Sequence, residues 1–444
     1  MMSTQSESML RQTSFPYADA PEKDKYSVCV HCGFCLEVCP TYQEQSNESH
    51  SPRGRVYLIK LASEGLIPLD EGVISPVETC LDCRACESVC PSGVQVGALI
   101  EEARGQVFLA RSEQKRASGM QALFLRSVFP HPARLHTLGS LMRFYQRSGI
   151  QRLTRGVGLL RVLPVAMREM EGVLPEVSAR RALTNLPERI PVKNPKRSVG
   201  LFTGCVMDVL FTPINEATAR VLTKNEIEVR VPKQQLCCGA LHVHAGDREQ
   251  ARELAKTNIE VFLDAGVERV VINAAGCGAA LKEYPELFKD DPVWHEKAVE
   301  FSLRVRDISE LLVEEDFVKP QGHVERRITY HDACHLCHAQ GIRAEPRLIL
   351  QSIPGVTLIP LPDSERCCGS AGIYNLTQPE MAEKLLERKM DDLPKEIDAV
   401  VMGNPGCMLQ IRLGVNRRQR DLDVLHTVEL LDASYQKEDV AHGN

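Results

Sequence analysis

The sequence has no apolar run long enough to cross a bilayer. Its most apolar stretch, Gly156 to Met167, is broken by Arg161 and falls short of the roughly 20 apolar residues that a spanning helix needs, so an integral membrane protein is not expected. The polar start, MMSTQSESML, holds no apolar signal segment. There is no surplus of positive charge either: the formal net charge is -6 with 25% charged residues, so nucleic acid is not an expected partner. Gly-rich runs such as GCGAA and SGV lack the GxGxxG spacing between a strand and a helix, and with it the usual signature of a flavin or other dinucleotide site. The 444 residues suggest about three domains.

Cysteine, by contrast, is abundant, with 17 in the chain. Eight fall in two runs of identical spacing: Cys29, Cys32, Cys35 and Cys39 followed by Pro40, and Cys80, Cys83, Cys86 and Cys90 followed by Pro91. Three thiolates spaced CxxCxxC let one tight loop wrap one 4Fe-4S cubane. The fourth, set before proline, ligates the other cluster in two-cluster ferredoxins. The spacing therefore predicts one cluster on Cys29, Cys32, Cys35 and Cys90, and a second on Cys80, Cys83, Cys86 and Cys39. Structural zinc is the alternative, but zinc modules favour two separated CxxC knuckles. A disulfide framework belongs to small secreted chains. The cysteines thus imply a reducing compartment and metal.

Between the runs, Ser51 to Lys60 reads SPRGRVYLIK, which predicts a helix starting at Pro52 with Val56, Ile59 and Leu61 on its buried face. Arg53 and Arg55 would stand beside a cluster and raise its potential, or simply cap and solvate. Residues 1 to about 28 are expected to form a short helix and lead-in. The long gap from Cys39 to Cys80 resembles the helical two-cluster domain of respiratory dehydrogenase subunits.

Charge is unevenly distributed. Residues 101 to 200 hold 18 Lys and Arg against 7 Asp and Glu, a surplus of 11, so the rest of the chain carries -17. From about Gln106 to Arg197 there is no cysteine, and the pattern suggests amphipathic helices broken at Pro130, Pro132, Pro164 and Pro175. Arg126, Arg134, Arg143, Arg147, Arg152, Arg155, Arg161 and Arg168 recur among apolar residues. They form either a surface for a partner subunit or an anionic membrane face, or the solvated face of ordinary packing helices.

The second half is an internal repeat. Cys205, Cys237-Cys238-Gly239 and Cys277 match Cys334, Cys367-Cys368-Gly369 and Cys407 at separations of 129, 130 and 130 residues. Strand-like runs precede the single cysteines, at Ser198 to Phe202, Val270 to Ile272, Arg327 to Tyr330 and Ala399 to Met402. Helix-like segments such as Arg248 to Leu263 and Pro379 to Met390 alternate with them. This alternation predicts a parallel sheet in each copy, with the cysteines gathered at the carboxyl ends of the strands.

Adjacent Cys-Cys followed by Gly resembles the CCG domain of heterodisulfide reductase-type proteins, in which paired domains hold non-cubane iron-sulfur clusters. Here Ala280 and Gln410 stand where that pattern has the last cysteine of each copy, and Cys337 is extra. Three alternatives remain for Cys205, Cys237, Cys238, Cys277, Cys334, Cys367, Cys368 and Cys407: a further iron-sulfur cluster with His242, His244, His335 or His338 as a ligand, another metal, or reduced structural thiols. His331-Asp332, beside Cys334, would either move protons or make a structural hydrogen bond.

The runs CVHCGFCLEVCPTY (Cys29 to Tyr42), PRGRVYLIK (Pro52 to Lys60), CLDCRACESVCPSGV (Cys80 to Val94), GCGAALKEY (Gly276 to Tyr284) and CCGSAGIYNLTQPE (Cys367 to Glu380) resemble the iron-sulfur subunit of glycolate oxidase, also called glycolate dehydrogenase. The resemblance runs from about residue 25 almost to the C-terminus. It implies a multidomain α and α/β chain: a helical two-cluster ferredoxin domain at 1–105, a basic helical linker at 106–197, and repeated α/β CCG domains with parallel sheets at 198–325 and 326–444. It implies two 4Fe-4S clusters and an electron-transfer role. A separate FAD-binding subunit oxidises glycolate to glyoxylate, and this chain passes the electrons toward membrane quinone, from a peripheral position on the cytoplasmic face of the inner (plasma) membrane. It implies no acid or base on this chain acting on glycolate. The domain order is also similar to iron-sulfur subunits of lactate-utilising and glycerol-3-phosphate dehydrogenase complexes, and to heterodisulfide reductase. Those are the alternative functions, the last as a thiol-disulfide reductase.

Overall fold

The computed structural model describes residues 13–113, 125–162 and 165–441. They form two compact units. The first holds the described residues up to 113 together with Val243–Asp247, and the second holds the rest.

The first unit is helical. Its scaffold is three helices, Pro52–Ser63, Glu71–Glu78 and Val96–Glu113, with a short helix Lys23–Ser27 in the lead-in; residues 1–12 lie outside the described residues. The predicted start at Pro52 is explained by its cap. Ser51 Oγ accepts from Gly54 N at 3.0 Å, and Pro52 fills the first helical position, where a missing N–H costs nothing. Val56, Ile59 and Ala62 are buried, whereas Leu61, expected on that face, is half-buried. At about 100° per residue, Ala62 follows Ile59 inward and Leu61 turns toward the rim. Val56 and Ile59 join Phe15, Tyr26, Val73, Val77, Leu99 and Ile100 in one core, and Cys29, Cys80, Cys86 and Cys90 pack on its edge. Helix Val96–Glu113 continues through residue 105.

The second unit begins with the linker helices Pro132–Arg147, Ile150–Gly156 and Val165–Val173. Residues 114–124 and 163–164, including Pro164, lie outside the described residues. Two sheets follow. The first contains β1 (Arg189–Ile190), β2 (Arg197–Leu201), β3 (Ile227–Arg230), β4 (Arg269–Ile272) and β5 (Val305–Asp307), in the order β1-β3-β2-β4-β5. The second contains β6 (Arg326–Tyr330), β7 (Val356–Leu358), β8 (Ala399–Met402) and β9 (Asp423–His426), in the order β7-β6-β8-β9. Strands β2 to β5 and β6 to β9 thus repeat one order, with every pairing among them parallel. The expected parallel sheet gains one antiparallel edge strand, β1, paired as Arg189↔Arg230 and Ile190↔Val229.

Strand β8, AVVM, is buried at every position, as a strand covered by helices on both faces must be. Helices Thr212–Lys224 and Arg248–Asp264 carry the chain between strands in the first copy, and Glu345–Ser352 and Pro379–Asp392 do so in the second. The first copy alone inserts helix Pro292–Arg304 before its last strand.

Candidate metal centres

The two N-terminal cysteine runs fold alike. The residues flanking the second cysteine of each run take left-handed backbone: His31 (φ 57°) and Gly33 (φ 92°) in one, Asp82 (φ 52°) and Arg84 (φ 63°) in the other. These turns curl the loop and aim main-chain N–H groups inward, the geometry of an anion-binding nest. Asp82 N donates to Cys80 Sγ at 3.4 Å, and Val94 N donates to Cys90 Sγ at 3.4 Å. Short helices Phe34–Glu37 and Ala85–Ser88 then carry Cys35 and Cys86. Cys39 leaves its loop directly into Pro40, the first residue of helix Pro40–Gln45.

Two cavities lie against these loops. One is lined by Cys29, Cys32, Cys35, Cys86 and Cys90. The other is lined by Cys39, Cys80, Cys83 and Cys86. Pro52, Cys86 and Val96 line both and form their common wall. Burial pushes the Cys80 thiol up and the Cys86 thiol well up, so binding of a metal here must displace held protons.

Charged groups surround the second cavity. Arg55 is 1% exposed. Its Nε donates to Pro76 O at 2.6 Å, its Nη2 donates to Thr41 Oγ1 at 3.0 Å, and its Nη1 stands 3.9 Å from Cys39 Sγ. Arg53 lines the first cavity but is partly exposed and paired with Glu48 at 2.6 Å. Behind the second loop, Arg84 Nε donates to Asp82 Oδ1 at 2.9 Å and Arg84 Nη2 donates to Glu101 Oε1 at 3.1 Å. His244 Nδ1 completes this cluster, 3.2 Å from Asp82 Oδ2 and 3.5 Å from Glu101 Oε1. Burial opposes the charged imidazole, but the two carboxylates outweigh it and push His244 up to about 9.

In the second unit the repeat cysteines collect at the carboxyl ends of the strands. In the first copy Cys205 Sγ lies 3.4 Å from Cys237 Sγ, and the Cys238 thiol is pushed well up, first by its contacts with Cys237 and Cys277. In the second copy Cys368 lies against Cys367 and Cys407. Gly239 (φ 84°) and Gly369 (φ 87°) turn the backbone after each Cys-Cys pair onto a crossover helix, where a side chain at Gly369 would meet Ala382 O at 2.6 Å. The copies join at this edge. Asn404 Oδ1 accepts from Gly276 N at 3.2 Å while its Nδ2 donates to Cys407 Sγ at 3.4 Å, and Ala275 N donates to Gly403 O at 2.9 Å.

The histidines divide. His242 Nε2 bonds Leu125 O at 2.7 Å, and His335 Nδ1 lies 3.5 Å from Cys334 Sγ. His338 Nε2 faces Glu365 O at 3.3 Å, whereas His244 joins the first unit. Asp332 pairs with Arg347 at 2.6 Å. Gln410, at the position of the missing cysteine, is buried and accepts from Asn375 Nδ2 at 3.1 Å.

Comparison with known proteins matches this layout piece by piece. Residues 25–94 match the 4Fe-4S dicluster domain, residues 199–282 and 328–412 match the cysteine-rich CCG domain, and residues 116–174 match the linker region of the glycolate oxidase iron-sulfur subunit. The "Probable glycolate oxidase iron-sulfur subunit" of Bacillus subtilis (strain 168) is 41% identical across 97% of this chain and 98% of its own length. The chain belongs to the family of glycolate oxidase iron-sulfur subunits. The Escherichia coli (strain K12) "Glycolate oxidase iron-sulfur subunit" is 35% identical over 98% of this chain and 100% of its own. A subunit of the fumarate reductase (CoM/CoB) of Methanothermobacter marburgensis is 30% identical over 94% of this chain and 74% of its own.

As a glycolate oxidase iron-sulfur subunit the chain carries a 4Fe-4S dicluster domain and is one part of an oxidoreductase with other subunits. Its cavities suit such groups, since each gathers at least four soft thiol donors, mainly apolar walls and inward N–H groups. Sequence reasoning missed the charge cluster of Asp82, Arg84, Glu101 and His244 in this iron-sulfur subunit. His244 is 162 residues from Asp82 in sequence, and no spacing rule joins them.

Proposed function

We propose that this chain is the electron-transfer subunit of a glycolate-oxidising complex. A separate FAD-binding subunit oxidises glycolate to glyoxylate, and this chain passes the electrons toward membrane quinone. The observation that carries the reading is the common wall of Pro52, Cys86 and Val96, which sets two cysteine-lined cavities one side-chain layer apart. In this reading Cys29, Cys32, Cys35 and Cys90 hold one cluster and Cys80, Cys83, Cys86 and Cys39 the other. When bound, each cluster supplies a one-electron carrier. The protein's part is to present thiolates, exclude water with the apolar core of Val56, Val94 and Leu99, and offset negative charge with Arg55. The chain divides accordingly into a two-cluster domain (1–105), a basic linker (106–197) and two CCG domains (198–325 and 326–444).

The linker supports a peripheral position on the cytoplasmic face of the membrane. No helix among the described residues is long and apolar enough to cross a bilayer. Yet Leu141, Phe144, Leu153 and Val157 are between 62% and 67% exposed, on helices Pro132–Arg147 and Ile150–Gly156 and just beyond them. Between Leu125 and Val162 the sequence holds seven arginines and no acidic residue. Arg126, Arg134, Arg147, Arg152 and Arg155 are exposed, and Arg143 and Arg168 half-buried; the Arg161 side chain lies outside the described residues. Apolar side chains flanked by arginine suit an anionic lipid surface.

The test is turnover by the chain co-expressed with its flavin subunit. Glycolate should reduce a quinone analogue, and Cys29→Ser or Cys83→Ser should stop it. Turnover with lactate or glycerol 3-phosphate but not with glycolate would reject the substrate assignment.

A further inference from the structure

The two N-terminal cavities meet solvent differently. Among the described residues, none of those lining the second cavity is exposed. The first is lined by five exposed residues, Val30, His31, Cys32, Phe34 and Pro91. Electron tunnelling weakens steeply with distance, so a redox partner of this unit gains most by docking where the first cavity opens.

The rim of that opening is apolar beyond what the loop requires. Val30 and Phe34 flank the Cys32 turn and are 68% and 65% exposed. The second cysteine run provides an internal control. It has the same spacing and the same left-handed turns, yet its equivalents of Val30 and Phe34 are Leu81 and Ala85, both buried. Wrapping a cluster therefore does not oblige the chain to present a large apolar pair to water. Tyr57, exposed on helix Pro52–Ser63, stands edge-on to His31 with ring centroids 5.6 Å apart, and it extends the face beyond the loop. An apolar and aromatic centre within a charged rim is the anatomy of a protein interface.

The charge of the rim decides between a protein and a lipid surface. Arg53 is the one lysine or arginine lining the cavity, and Glu48 pairs with it at 2.6 Å. Glu37, exposed, closes the short helix that Phe34 opens. Residues 13–113 hold 8 Lys and Arg against 15 Asp and Glu, a net charge of -7. Anionic lipid is repelled by such a surface, in contrast to the arginine-rich linker. A protein surface with an apolar centre and lysines or arginines around it is complementary.

We propose that the exposed face of Val30, Phe34 and Tyr57 at the mouth of the first cavity is where the FAD-binding subunit docks, through an apolar patch ringed by basic side chains, to deliver its electrons. The proposal rests on the electron-transfer reading and adds to it the point of entry. No bond in this chain is made or broken: the partner's reduced flavin loses two electrons, taken one at a time, and two protons that leave to solvent. The group held by Cys29, Cys32, Cys35 and Cys90 is the first to be reduced.

The test measures binding of the purified FAD-binding subunit to the full chain carrying both clusters, verified by iron content and by EPR after dithionite reduction. Phe34→Glu should weaken binding at least tenfold. Tyr57→Glu, whose side chain does not line the cavity, should weaken it as well and serves if the loop variant loses its cluster. Glu37→Lys should weaken binding several-fold, and wild-type binding should fall with added salt. Combining Leu141→Glu, Phe144→Glu and Leu153→Glu on the linker should leave the affinity unchanged. The proposal is overturned if the wild-type chain does not bind the FAD-binding subunit, if the Tyr57→Glu variant and cluster-replete Phe34→Glu variant bind as tightly as wild type, or if Phe34→Glu instead abolishes sedimentation with phosphatidylglycerol vesicles. Failure of the underlying reading looks different: the wild-type complex forms, but glycolate reduces no cluster in it.

Discussion

Arg55 holds its guanidinium Nη1 3.9 Å from Cys39 Sγ while its other nitrogens are tied to Pro76 and Thr41. The charge cannot swing away, and it is 1% exposed. A fixed buried cation favours the more negative, reduced state of any cluster held by Cys39, Cys80, Cys83 and Cys86. Arg55→Gln should therefore lower that cluster's midpoint potential, by on the order of 50–100 mV at an effective dielectric near 20. Arg53→Gln should shift the other cluster much less, because Arg53 is partly solvated and already paired with Glu48. A redox titration followed by EPR distinguishes the two. Equal shifts would show that burial is not what matters.

The His244 cluster predicts a pH dependence of stability in the first unit. Its folded-state value, about 9, lies above the ordinary 6.5. The resulting stabilisation is fully present below about pH 6.5 and is lost as pH rises through about 9. It amounts to about 3 kcal/mol at most. Thermal loss of the iron-sulfur absorption should occur at lower temperature at pH 9.5 than at pH 6.5. His244→Asn should flatten this dependence and also destabilise the unit at neutral pH, because Asp82 and Glu101 lose a buried partner. An unchanged pH profile in His244→Asn would contradict the assignment.

The two CCG glycines should differ in tolerance. Both have positive φ, which costs a non-glycine residue about 1–2 kcal/mol. A Cβ at Gly369 would also lie 2.6 Å from Ala382 O, whereas at Gly239 its nearest neighbour is Ala251 Cα at 3.4 Å. Gly369→Ala should thus lower the denaturation midpoint clearly more than Gly239→Ala, the excess being about 1–3 kcal/mol. Equilibrium denaturation of the two variants compares them directly.

If the linker face meets lipid, combining Leu141→Glu, Phe144→Glu and Leu153→Glu should abolish sedimentation with phosphatidylglycerol vesicles. The triple variant should still be reduced normally within the complex on addition of glycolate. Wild-type binding should weaken with salt, since arginine attraction to anionic lipid is screened. Binding that persists in the triple variant would place the membrane contact elsewhere.

What the sequence reveals and what it conceals follow from range. Cysteine spacing, the Ser51-Pro52 helix start and the 129- and 130-residue repeat are local or periodic signals, and the described elements follow them. Two-residue β1 is too short to show any period. The half-buried position of Leu61 depends on which neighbour wins the inward face. Cys86 as a lining residue of both cavities, His244 beside Asp82, and His331 beside Cys368 and Cys407 are all products of tertiary register. Each joins residues whose separation in sequence carries no information until the sheets and loops are in place.

The most direct measurement of the central claim is low-temperature EPR of the assembled complex, frozen anaerobically after mixing with glycolate. The account predicts reduced 4Fe-4S signals appearing with flavin reduction, and loss of one cluster's contribution in both Cys90→Ser and Cys39→Ser. Full flavin reduction by glycolate with no cluster signal, in a complex whose iron content is intact, would contradict it.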